Sequence, residues 1–135
     1  MIQRIQSLLL ILAVATNVGF FFTPLFDHIL RDPTGWISAV NISALLFASG
    51  LSLFSIFKFN DRAKQIYWVK IALFFQVVGV ASAIGVLLSL GGIGTYLLEE
   101  ALSFALITIA ILLQYLAIHF IHKDEKLVKS MDRIR

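Results

Sequence analysis

The chain contains no cysteine, only two prolines and little charge, with 14% of its 135 residues being Asp, Glu, Lys or Arg. The missing cysteine excludes a disulfide scaffold, a thiol nucleophile and every Cys-ligated zinc or iron–sulfur centre. The scarcity of charge excludes a disordered tail and an ordinary soluble domain, in which about a quarter of residues are charged. What fills the chain instead is apolar: 59% of residues are hydrophobic and the mean hydropathy is +0.92. Too little polar surface remains to keep such a chain in water, so a lipid bilayer is the expected solvent.

A helix that crosses the hydrocarbon core needs about 20 mostly apolar residues. Four stretches, at about 5–26, 36–57, 66–90 and 101–121, meet that length and carry no charge in their middle. They leave a short amino terminus, three short loops and a tail at 122–135, none large enough for a second domain. Spans joined by loops this short should be antiparallel neighbours. The expected fold class is therefore all-α: an integral membrane four-helix bundle, up-down-up-down, with a short amphipathic cytoplasmic C-terminal helix. Arg4, the run Leu8 to Leu12 and Ala13-Val14-Ala15 also imitate a secretory signal, but the apolar run continues to Phe26, beyond the usual core of such a signal.

Orientation follows from the basic residues, which are preferentially retained on the cytoplasmic side of short loops. Arg4, the group Lys58, Arg62, Lys64 and Lys70, and the tail residues Lys123, Lys126, Lys129, Arg133 and Arg135 make up ten of the eleven. Arg31 alone falls on the other side. Both termini are thus expected in the cytoplasm, with Asp27 to Gly35 and Gly91 to Glu100 facing outward. The net charge of +3 needs no nucleic acid to explain it. Trp36, Tyr67, Trp68, Tyr96 and Tyr115 fall near span ends, where amphipathic rings prefer to sit. Asp32-Pro33-Thr34-Gly35 is a turn signal, and Gly91, Gly92 and Gly94 end the third helix.

Packed faces of membrane helices are usually marked by small and weakly polar residues. On span two these are Ser38, Asn41, Ala48, Ser49, Ser52 and Ser55; on span three Gln76, Gly79 and Ala83, with a second series of Ala81, Gly85 and Ser89. Span four aligns Ser103, Ala110, Gln114 and Ala117, and span one offers Thr16, Gly19 and Thr23, with Asn17 to one side. Two readings of this lining stand side by side. It is either interhelical hydrogen bonding, or a polar path for a small solute with Asn41, Ser49, Ser52, Gln76 and Gln114 as its binding groups. The absence of an ionisable residue at depth argues against proton-coupled transport.

No catalytic set is expected. Asp27 with Asp32 and Glu99 with Glu100 lie on outward loops, and adjacent Glu residues on a helix do not face each other. His119 and His122 lie near one end of a helix while His28 belongs to the other side of the membrane, so neither a haem nor a metal site is expected, and no other cofactor. The chain reads as a non-enzyme.

The tail is the most patterned segment. Continued as a helix, it groups Leu127, Val128, Met131 and Ile134, with Lys126, Lys129, Arg133 and Arg135 around them. Glu125 and Lys129 form an i, i+4 pair in the favourable order, and Asp132 can reach Arg135. Such a helix could lie on the anionic leaflet, dock on a protein, or serve only as a positive-inside anchor. Met1-Ile2-Gln3-Arg4-Ile5-Gln6 at the start, with Asp124-Glu125-Lys126-Leu127-Val128 and Asp132-Arg133-Ile134-Arg135 at the end, resembles an uncharacterised family of small four-span bacterial membrane proteins, a domain of unknown function. The resemblance implies a bacterial inner membrane and brings no activity or cofactor. It directs attention to the two cytoplasmic ends; the patterned tail and the absence of a buried charge or reactive set point to an accessory or scaffolding subunit, with Arg4, Asp124, Glu125, Leu127, Val128, Asp132, Arg133 and Arg135 as its expected partner-binding residues. A small-solute transporter or channel working as an oligomer is the alternative.

Overall fold

The computed structural model describes residues 2–31, 33, 35–89 and 98–132. Asp32 and Thr34 of the expected turn, Gly91, Gly92, Gly94 and Tyr96, and Arg133, Ile134 and Arg135 lie outside the described residues. The fold is all-α, with α1 (Ile2–Phe20), α2 (Pro24–Leu30), α3 (Trp36–Ile56), α4 (Arg62–Ser89) and α5 (Leu98–Asp132). Trp36–Ile56, Arg62–Ser89 and Leu98–Met131 are each long and apolar enough to cross a membrane. Ile5–Phe20 and Pro24–Leu30 make a fourth candidate only when taken together, and they meet at 63°.

That bend breaks the continuous first span expected from the hydropathy, and Pro24 explains it. Proline has no N–H to donate to the carbonyl four residues back, and its ring clashes with that carbonyl. The Phe20 carbonyl instead accepts from the Thr23 N–H at 3.1 Å and the Thr23 hydroxyl at 2.7 Å. Thr23 is extended, and Pro24 opens α2 at a position where its missing donor costs nothing. α2 then buries Leu25, Phe26 and Ile29 against Phe20, Leu45, Val86 and Ile107, closing one end of the core. At the far end of the chain the tail is not a separate helix. α5 continues unbroken for 35 residues, about 52 Å at 1.5 Å per residue.

Burial repeats with alternating steps of three and four. The buried positions are Gln6, Leu10, Ala13, Asn17 and Phe20 in α1, and Asn41, Leu45, Ala48, Ser52 and Ser55 in α3. α4 buries Gln65, Val69, Ala72, Gln76, Gly79 and Ala83, and α5 buries Ser103, Ile107, Ala110, Gln114, Ala117 and Ile121. This 3.5-residue period keeps a seam facing its partner along the length of a helix. The opposite faces expose Leu8, Ile11, Leu46, Phe47, Phe74, Leu88, Leu102 and Leu112, an apolar exterior suited to lipid rather than water.

Neighbouring contacts run in opposite senses along α3 and α4: Asn41 meets Gly79, Phe47 stacks on Phe75 with ring centroids 5.3 Å apart, and Phe54 meets Trp68 at 5.2 Å. Gly79 permits the close approach of these two helices, since a Cβ there would lie 2.7 Å from Leu45 Cδ2. α4 and α5 are likewise antiparallel, joined by Gln76 to Ile107 and by Arg62 to Asp124. One core cluster gathers Phe20, Leu45, Val80 and Ile107 toward α2; a second gathers Leu10, Ile66, Val69, Ala117 and Ile121 toward the tail. Between them lies a narrow polar waist flanked by the fully buried Ala13, Ala48, Ala72 and Ala110.

Candidate functional site

The waist is built around an amide pair. Asn17 Nδ2 donates to Gln76 Oε1 and Gln76 Nε2 donates to Asn17 Oδ1, both at 2.8 Å. Asn17 Nδ2 also reaches Ser49 Oγ at 3.1 Å, and Gln76 Nε2 the Ile107 carbonyl at 3.2 Å, so α1, α3, α4 and α5 meet at one level. Toward α2, Asn41 Nδ2 donates at 2.9 Å to the Gly79 carbonyl and to Ser82 Oγ. Toward the tail, Gln114 Nε2 donates to Ser52 Oγ at 3.1 Å. Asn41, Ser52, Gln76 and Gln114 are all fully buried. Three buried polar atoms have no partner among the described residues: Gln6 Nε2, Asn41 Oδ1 and Gln114 Oε1.

The five lining residues expected from sequence therefore fall in this seam, but not as one continuous group, and its centre is a residue set aside in the sequence reading. Asn17 lies on the buried face of α1, whereas Thr16 and Thr23 spend their hydroxyls on carbonyls of their own chain three residues back. The spacing Gln6, Leu10, Ala13, Asn17, Phe20 was the available signal. Gln6 and Gln65, both buried, were missed as well. Ala81, Gly85 and Ser89, expected to pack closely, face outward; a Cβ on Gly85 would meet nothing within 4 Å.

Among the described residues, the two ends of the bundle hold polar side-chain contacts between helices. Near α2, His28 Nε2 lies 3.3 Å from Glu100 Oε1. At the tail end, Asp61 caps α4 by accepting from the Lys64 N–H at 3.1 Å, and that bond, with the Lys64 side chain, holds the Asp61 carboxyl below the usual carboxylate range. Arg62 Nε donates to Asp124 Oδ2 at 2.8 Å, tying the start of α4 to α5. Among the described residues no three His, Asp or Glu side chains gather as a metal site would require.

The candidate partner residues separate into distinct settings. Arg4 lies early in α1 and Asp132 ends α5. Asp124 is taken by Arg62, and Glu125 accepts from Lys129 Nζ at 2.7 Å with His122 Nδ1 3.8 Å away. Val128 is half-buried, while Leu127 is 45% exposed and Met131 62% exposed. From Asp124 to Asp132 the helix runs eight residues, about 12 Å, past its ion pair with α4. Neither curated proteins nor solved structures give a match to this chain. Residues 2–134 match the model of a family described as a domain of unknown function (DUF4293), and with nearly its whole length covered the chain belongs to that family.

Proposed function

We propose that this protein is a non-enzymatic accessory or scaffolding subunit of the bacterial cytoplasmic membrane whose tail end binds a partner. In this reading α1 with α2 counts as one crossing, giving a four-span bundle, and the excess of Lys and Arg at the tail end keeps both termini in the cytoplasm. The observation that carries it is the projection of α5. Leu127 and Met131, one turn apart and exposed, sit on the part of α5 beyond its ion pair with α4, where a partner groove can take an apolar helix face. Asp124, Glu125 and Lys129 are engaged within the chain, so at Leu127 and Met131 themselves apolar contact is the chief attraction on offer. A photo-crosslinking residue placed at Leu127 or Met131 in cells should yield one discrete adduct, and the same residue at exposed Leu88 should not. Identical adducts from all three positions would refute the proposal.

The alternative is passage of a small solute along the seam by an oligomer. The unpartnered Asn41 Oδ1 and Gln114 Oε1 favour it, since each could accept a bond from a passing donor. Full burial of the same side chains among alanines counts against it, because a conducting path needs room beside its polar groups. Solute flux in proteoliposomes that falls on Gln114→Leu would support the alternative, and flux indistinguishable from empty vesicles would dismiss it.

A further inference from the structure

The surface of α5 carries a stripe that the partner reading leaves unused. Leu112, Tyr115 and Leu116, then His119, His122, Lys123 and Lys126 repeat the i, i+3, i+4, i+7 spacing and so share one face of the helix. The first three are apolar and outward-facing, at 58%, 63% and 43% exposure. The last four line a cleft of about 260 Å³. The change from apolar to basic occurs around Ile121, the last fully buried position of the α5 seam, and before Asp124 reaches Arg62. In a helix that crosses a bilayer this is where hydrocarbon gives way to headgroups.

The acids nearby do not neutralise the cleft. Asp124 is held on Arg62, and Glu125 takes Lys129 at 2.7 Å, coming only to 3.8 Å of His122 on the flank. Lys123 and Lys126 have no acidic partner among the described residues. Two ammonium groups without an acidic partner among the described residues and two imidazoles thus converge above an exposed apolar track. A lipid phosphate with an added negative charge complements the first, and its acyl chains complement the second.

We infer that His119, His122, Lys123 and Lys126 form a binding site for the phosphate headgroup of an anionic phospholipid, with its acyl chains along Leu112, Tyr115 and Leu116. A cleft of about 260 Å³ has room for a phosphate headgroup. The inference rests on α5 crossing the membrane and is independent of any partner at Leu127 and Met131.

The test uses the full chain in detergent, titrated with phosphatidylglycerol or the zwitterionic phosphatidylethanolamine and read by native mass spectrometry. The expected result is preferential retention of phosphatidylglycerol. K123Q/K126Q should weaken it roughly thirty-fold, each lysine near the surface contributing about fivefold. K58Q/K70Q, which removes the same charge elsewhere, should leave it within about twofold if the effect is local. Both double variants change exposed lysines, and unaltered far-UV circular dichroism confirms that each is folded. Equal retention of the two lipids, or equal loss in both variants, would overturn the site. Displacement of the lipid by stoichiometric glycerol phosphate would also overturn it, because the cleft would then be a free-anion site. Binding at Leu127 and Met131 would stand in either case.

Discussion

Replacing Asn17 and Gln76 by leucine, singly and together, tests the role of the waist. Asn17→Leu removes both 2.8 Å bonds and leaves Gln76 Oε1 buried without a donor, while Gln76 Nε2 keeps the Ile107 carbonyl. Gln76→Leu strands Asn17 Oδ1, while Asn17 Nδ2 keeps Ser49. Interhelical hydrogen bonds in membranes contribute about 0.6 kcal/mol on average and up to about 1.7. An orphaned buried polar atom costs about 1–3 kcal/mol. Each single variant should therefore lose about 3 kcal/mol, with three bonds gone, counting the one to Ser49 or to Ile107, and one atom stranded. The double variant loses four bonds, the two mutual ones being shared by both singles, but strands neither amide, so it should cost no more than about the worse single. The coupling should then be about 3 kcal/mol, read from reversible unfolding in mixed micelles followed by circular dichroism. Costs that add to within about 0.3 kcal/mol, or single variants that cost nothing, would show that the pair does not hold the helices together.

Three further perturbations probe other parts of the fold. Gly79→Ala should destabilise by about 1–3 kcal/mol through its collision with Leu45, and combined with Leu45→Ala it should cost less than the two separate changes summed, whereas Gly85→Ala, facing open space, should be neutral or slightly stabilising in the same unfolding assay. Reversing Arg62 or Asp124 alone should cost about 1 kcal/mol and the R62D/D124R exchange should restore part of it, with the difference shrinking at high salt because the pair is partly exposed. With no cysteine in the chain, single-cysteine variants label on a silent background. A membrane-impermeant maleimide should modify Asp27→Cys in intact spheroplasts, and Asn60→Cys or Ser130→Cys only after permeabilisation; the opposite pattern would invert the orientation.

Hydropathy made the apolar helices legible because crossing a bilayer demands length and apolarity, both readable without knowing any contact. The break in the first was written in Pro24, yet a window average passes over one residue, and only the backbone chemistry of proline marks where α1 must stop. Small residues located Asn41, Ser52, Gly79 and Gln114 on buried faces, since close packing favours them. The same signal failed for Ala81, Gly85 and Ser89, because α4 is small-sided on two faces and only one meets a neighbour. Asn17 was hidden by its neighbours: Thr16 and Thr23 satisfy themselves locally, so their polarity marks no interface. The pairing of Arg62 with Asp124 is separated by 62 positions and depends on where α5 leaves the bundle, which no local pattern encodes.

The most direct test of the proposed role is the mass of the protein extracted gently at native abundance, compared with that of L127E/M131E. The account predicts a stoichiometric protein companion on the unaltered chain, absent from the variant, with both forms unfolding at the same detergent concentration. A bare chain or homodimer in both cases, or the same companion retained by the variant, would contradict it.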